Sequence, residues 1–137
     1  RVVAHGLEQG GLVGAVEARL AAVEQRAGLH TAVSSDGRKT AVPARVEEAL
    51  YGFTLEALNN ALKHAKAKTV EVGIHFRPEA VSVEVADDGV GFDPEEAWEA
   101  GGMGLKGMRE RLERLGGSLR IESQLQNGTR LVAEVAT

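Results

Sequence analysis

The sequence predicts an α+β domain of two layers, a mixed, mainly antiparallel sheet covered on one face by helices. Two observations carry this. Three stretches repeat apolar residues at three- and four-residue steps, while shorter β-branched stretches alternate apolar and polar residues. Their order, α β (β) α β β α β β, suits strands that pair through short turns and bury one face under helices. With 137 residues, 43% apolar and 26% charged, the chain fits one domain with a single core and needs no covalent staples.

Residues 1–11 show no clear period and contain Gly6, Gly10 and Gly11, so they read as an arm entering a domain that spans 12–137. Leu12, Val16, Leu20 and Val23 then mark an amphipathic helix stopped by Gly28. Residues 29–34 alternate and end at Ser35-Asp36-Gly37, a turn signal that suggests a hairpin with a short return. Pro43 suits the first turn of a second helix, where its missing N–H costs nothing. Apolar residues from Val46 through Leu62 continue that helix.

Residues 69–76 and 81–85 read as strands joined by Arg77-Pro78-Glu79. Residues 93–102 are polar and loop-like. A third helix follows over 105–115, with Leu105, Met108, Leu112 and Leu115 on one face, and Gly116-Gly117 ends it. Two final strands, 118–124 and 129–135, flank Asn127-Gly128, a strong hairpin signal.

Composition excludes several functions. No cysteine is present, so disulfides and thiolate metal sites are ruled out, and a cytoplasmic setting is compatible. A net charge of -4 and 4% aromatic residues argue against nucleic acid as a partner. No apolar run approaches a membrane span. The first residue is Arg1 and no signal-peptide layout follows, which reads as a segment of a longer polypeptide.

The chemistry gathers on the second helix and around two glycine clusters. At about 100° per residue, Glu56, Asn60 and Lys63 fall in one wedge, rimmed by Asn59 and His64. A carboxylate, an amide and an ammonium in one column suit either a solvated stripe or the wall of a site for a metal-bound polyphosphate. Asp87, Gly89 and Gly91 follow a strand, and Gly102-Met103-Gly104 opens directly into the third helix. Glycines let backbone approach a ligand closely, and the free N–H groups of a helix start favour an anion. Residues 102–107 match G-x-G-x-x-G letter for letter. They follow a polar loop instead of a strand, which argues against a dinucleotide fold, and no P-loop pattern exists.

These residues resemble a family. Glu56 to Ala65 as E-x-x-x-N-A-x-K-H-A, Asp87 to Gly91 as D-x-G-x-G, Gly102 to Leu105 as G-x-G-L, and Gly128-Thr129 before the last strand are similar to the N, G1, G2 and G3 boxes of the GHKL (Bergerat-fold) ATPases. Within that superfamily, L-N-N-A-L-K-H-A and G-M-R-E-R-L-x-x-L-G-G look most like the ATP-binding catalytic domain of bacterial sensor histidine kinases of the nitrate/nitrite-sensor and membrane-fluidity-sensor class. The resemblance covers about residues 7–135.

It implies ATP and Mg²⁺ as cofactors. Asn60 would coordinate Mg²⁺, Lys63 or His64 would meet the phosphates, and Glu56 would support transfer. Asn59 would border the nucleotide, and Asp87 would hold the adenine amino group with Gly89 and Gly91 giving the base room. Residues 93–101 would form a lid, Gly102, Met103, Gly104 and Leu105 its closing end, and Thr129 would lie beneath the adenine. The implied partners are a dimerisation domain carrying the acceptor histidine, and a response regulator, in a parent homodimer that is cytoplasmic or anchored in the inner membrane. His5, His30, His64 and His75 are followed by Gly, Thr, Ala and Phe, not by the acid usual after an acceptor histidine, so the acceptor is expected on a separate helical domain. Leu55 departs from the Gln common there in this kinase class. Two other readings are a GHKL Ser/Thr kinase of the anti-sigma type and a nucleotide-responsive interaction module without transfer.

Overall fold

The computed structural model describes residues 2–37, 42–63, 66–91, 104–123 and 128–137. Its elements, in chain order, are α1 (Val2–Ala27), β1 (His30–Asp36), α2 (Ala44–Lys63), β2 (Thr69–Phe76), β3 (Ala80–Asp87), α3 (Leu105–Arg114), β4 (Gly117–Ser123) and β5 (Thr129–Ala136). The strands form one five-stranded sheet among the described residues, in the order β1-β2-β3-β5-β4. Only β1 and β2 run parallel; the other pairs are antiparallel.

Alternation along the strands decides which face is covered. In β2, Val70, Val72, Ile74 and Phe76 are buried, and in β3 Val81, Val83 and Val85. In β5, Leu131, Ala133 and Val135 point the same way. They meet Val16 and Leu20 of α1, Leu50, Phe53, Ala57 and Ala61 of α2, and Leu105, Met108 and Leu112 of α3 in one cluster. Leu50 is fully enclosed at its centre, and burial of a side chain of that size contributes roughly 1.5–3 kcal/mol. The opposite sheet face is polar, with ion pairs from Arg130 to Glu84 and from Arg120 to Glu122.

Two expectations change. The arm at 1–11 is helical through residues 2–10, continuous in assignment with α1 but broken at Gly11, whose φ of 64° and ψ of -168° are not helical. The break strands the backbone N–H of Leu12, and Glu47 of α2 accepts it at 3.3 Å. The apolar period that begins at Leu12 therefore begins at a real discontinuity. The second change concerns β1. Its partner is β2, in parallel, from His30↔Thr69 to Asp36↔His75, so β1, α2 and β2 make a crossover unit. The expected hairpin return lies at 38–41, outside the described residues. Ser35-Asp36-Gly37 marks where β1 leaves the sheet, and Asp36 there accepts from Arg77 at 2.8 Å and pairs with His75 at 3.0 Å. Alternation detects a strand but does not identify its partner.

Pro43 sits one position earlier than expected, outside α2, with its carbonyl accepting the N–H groups of Val46 and Glu47. Gly28 and Gly116, at φ of 66° and 77°, end α1 and α3 as the sequence suggests. Among the described residues no helix is long and apolar enough to cross a membrane.

The exit from α2 contains the one non-glycine residue with positive φ among those described, Lys66 at 51°. The left-handed region costs an L-residue about 1–2 kcal/mol, and glycine returns part of that as unfolded-chain entropy. Lys66→Gly is accordingly expected to raise unfolding free energy by up to about 1 kcal/mol. Chemical denaturation checks this, and a loss of stability would contradict the strain assigned to Lys66.

Candidate functional site

Topology gathers most of the described candidate residues at one end of the sheet. Asn60 lies in the last turn of α2, and the chain then turns directly into the start of β2. The start of β2 pairs with the end of β3 through Val70↔Asp87, and Asp87 pairs in turn with Thr129 at the start of β5. The helix end that carries Asn60 thus leads into a strand whose start neighbours, within the sheet, the strand ends that bear Asp87 and Thr129.

Each side chain has a local cause for its position. Asn60 is 6% exposed, an amide turned inward on a helix whose neighbouring Lys63 is exposed. The expected polar wedge is therefore not a uniformly solvated stripe. Glu56, one turn earlier, is half-buried. Its carboxylate approaches Gly104 so closely that a Cβ there would lie 3.5 Å from it. This brings the acid of the second helix against the residue that caps α3. Gly104 has φ of 67° and no side chain to satisfy the first N–H groups of α3, while Leu105 beside it is buried in the core.

Asp87 is held by backbone. Its Oδ1 accepts the N–H of Gly89 at 2.8 Å, and the Thr129 N–H also bonds to the carboxylate. Burial pushes the Asp87 carboxyl up from its ordinary value; the Gly89 N–H opposes that rise and the neighbouring Asp88 charge adds to it. Gly91 is buried with φ of 69°, a conformation that favours glycine. Thr129, 8% exposed, shares a 2.8 Å hydrogen bond between its hydroxyl and that of Ser123. Gly128 packs so tightly that a Cβ would overlap the carbonyl oxygen of Asp87.

The structure divides the remaining candidates. Asn59 is exposed and, with Glu56, lines a groove of about 380 Å³ on the outer helical surface, flanked by Arg19 of α1 and Arg111 of α3. Neither Asn60 nor Asp87 lines it. His64, Gly102, Met103 and the expected lid at 93–101 lie outside the described residues. The G-x-G-x-x-G match ends inside α3, which leads to β4, antiparallel to β5; it is not the turn of a parallel strand-helix-strand unit. Asp88 and Ser123 were not singled out by the sequence reading. A second acid directly after a strand, able to accept backbone N–H groups, was the available signal for Asp88.

Among the described residues no group of three or more His, Cys, Asp or Glu side chains converges to hold a metal. The donor set instead suits a hard cation held by few protein oxygens and mainly by ligand phosphates and water, as Mg²⁺ commonly is. The amide of Asn60 is such an oxygen donor.

Comparison with known proteins agrees with this architecture. The chain is 33% identical over 129 residues to the oxygen sensor histidine kinase NreB of Staphylococcus carnosus (strain TM300), covering 94% of this chain and 37% of that protein. It is 34% identical over 129 residues to the signal transduction histidine-protein kinase/phosphatase DegS of Brevibacillus brevis, covering 94% and 33%. The chain thus spans about a third of the length of these curated relatives. Two solved structures share the fold at a TM-score of 0.70. One is the histidine kinase domain of a blue-light activated histidine kinase from Erythrobacter litoralis EL346, 23% identical, covering 90% of this chain and 60% of that one. The other is the catalytic domain of the histidine kinase ThkA, 16% identical, covering 96% and 92%. A family model described as histidine kinase-, DNA gyrase B-, and HSP90-like ATPase matches residues 45–136, from the start of α2 to the end of β5. With nearly all of α2, the strands β2 to β5 and the glycine turns inside that match, the chain belongs to the histidine kinase-, DNA gyrase B- and HSP90-like ATPase family.

Proposed function

We propose that the chain is the ATP-binding catalytic domain of a two-component sensor histidine kinase, transferring the γ-phosphoryl group of ATP to a histidine on a separate helical dimerisation domain for relay to a response regulator. The reading is supported by a buried amide, Asn60, in the last turn of α2, the helix that leads into β2, and by a backbone-held carboxylate, Asp87, on the strand end that pairs with the start of β2. The curated relatives NreB and DegS, both named as histidine kinases, support it.

In this reading Asp87 accepts from the adenine amino group, Gly89 and Gly91 leave space for the base, and Thr129 supports it from below. Asn60 would supply an amide oxygen to Mg²⁺, and Lys63 or His64 would meet the phosphates. Bound Mg²⁺ would neutralise charge on the phosphate oxygens. The N–H groups at the start of α3, opened by Gly104 and Leu105 after Gly102 and Met103, add anion-binding capacity. Glu56, set against Gly104, has a supporting role in transfer. Phosphoryl transfer needs little more than positioning and charge stabilisation, which these groups provide. The lid is assigned to 93–101, and the working compartment is the cytoplasm.

Three outcomes follow from these roles. Full-length protein incubated with labelled ATP and Mg²⁺ should carry an acid-labile, base-stable phosphate, the signature of phosphohistidine; an acid-stable product would instead indicate a hydroxyl acceptor. Asn60→Ala should lower Mg²⁺-dependent ATP affinity by on the order of tenfold or more with the far-UV spectrum unchanged. Unchanged affinity in a titration would remove Asn60 from the metal role.

Asp87→Asn should reduce preference for ATP over GTP by about tenfold or more in competitive binding. Its effect on stability has a definite sign. The folded pKa is raised, so the carboxyl's stabilising contribution is fully present below the unfolded pKa and is lost as pH rises through the folded value. Above the folded value the ionised group is a burden, and there the Asn variant should be at least as stable as the parent in thermal melts. A clear destabilisation there, or unaltered nucleotide preference, would contradict the role given to Asp87.

A further inference from the structure

Asp88 follows the proposed adenine-binding carboxylate directly and is fully exposed, yet it is not a free surface acid. Its Oδ1 accepts the backbone N–H of Lys68 at 2.8 Å and of Thr69 at 2.9 Å. Its own N–H returns to the carbonyl of Thr69 at 3.3 Å. These three bonds close a clasp between the end of β3 and the first residues of β2. Both backbone donors draw the Asp88 carboxyl below its ordinary range, Thr69 more than Lys68, as expected for an ionised acceptor.

The clasp lies between the two walls of the site. Upstream of Lys68 the chain has just left α2, and the N–H of Ala67 bonds back to the carbonyl of Ala61, the residue after Asn60. Downstream of the clasp, Gly89 donates to Asp87. A short path of hydrogen bonds therefore runs from the helix turn bearing Asn60, through Ala67, Lys68 and Thr69, to Asp88 and so to Asp87. On its other side the Asp87 backbone is pressed by Gly128, where no Cβ fits. To the β2–β3 ladder, which already pairs Val70 with Asp87, Asp88 adds a side-chain tie between the Asp87 strand end and the segment leaving α2.

We propose that Asp88 is a positioning residue that fixes the distance between the metal-binding helix α2 and the adenine-binding carboxylate Asp87, so that it sets nucleotide selectivity without touching nucleotide. The proposal rests on the assignment of Asp87 to adenine. It predicts that the acceptor oxygen at 88 matters and that its charge matters less. Asparagine keeps an oxygen in the same place, and alanine removes it.

The test compares Asp88→Ala, Asp88→Asn and Asp87→Asn in the full chain. Competitive binding of Mg²⁺·ATP and Mg²⁺·GTP is read together with amide hydrogen exchange at Lys68 and Thr69 without nucleotide. Asp88→Ala should lose exchange protection at those two amides and weaken ATP binding by about tenfold, narrowing the ATP/GTP ratio with little change in melting temperature. Asp88→Asn should restore both readouts to within about twofold of the parent. If Asp88→Ala only lowers the melting temperature and leaves the ATP/GTP ratio intact, or if protection at Lys68 and Thr69 is unchanged, the proposal is overturned. Should Asp87→Asn itself leave selectivity untouched, the adenine assignment falls and the proposal with it. If Asp87→Asn acts and Asp88→Ala does not, the proposal alone fails.

Discussion

Main chain meets main chain where β5 begins: Gly128 presses on the carbonyl of Asp87 with no room for a side chain between them. That contact fixes where β3 stops and β5 starts, and with it the register Asp87↔Thr129. Because β3 is the central strand, a register set at its end propagates both ways, to β2 through Val70↔Asp87 and to β4 through Ser123↔Thr129. A slip by one residue would turn Val81, Val83 and Val85 from the helices to water. The position of a carboxylate and the integrity of the core thus share one steric requirement.

The helical layer answers a different need. A sheet that buries one face requires apolar cover, and α1, α2 and α3 supply it. Burying the sheet side of α2 also fixes its rotation, so that Leu50, Ala57 and Ala61 point down and Glu56 reaches α3. Asn60 is the exception, a polar side chain turned largely inward near the helix end. Enclosing an amide is costly unless it is partnered, and no buried side-chain nitrogen or oxygen among the described residues lacks a partner. One turn of α2 therefore combines core packing with an enclosed, partnered amide.

Much of this was legible from residues alone, for identifiable reasons. The strand 69–76 coincides with β2 because β-branched alternation was unbroken there, and Gly28 and Gly116 stop their helices as glycines with positive φ do. The boxes around Glu56, Asp87 and Gly128 could be read because each couples a ligand-capable group to a conformational signal. What could not be read was partnership across distance. The parallel pairing of β1 with β2 depends on the crossover through α2, which no local pattern encodes. Helical projection put Asn59 and Asn60 side by side, but packing separates them, one into the buried layer and one onto the outer groove. The capture of Lys68 and Thr69 by Asp88 joins residues about twenty positions apart, beyond any motif window.

The central claim is that one nucleotide spans from Asp87 to Asn60. A crystal structure with a non-hydrolysable ATP analogue and Mg²⁺ tests it most directly. The account predicts the adenine amino group within hydrogen-bond distance of the Asp87 carboxylate and the metal on the Asn60 amide oxygen. An analogue seated instead in the groove between Arg19 and Arg111, or adenine turned away from Asp87, would contradict it.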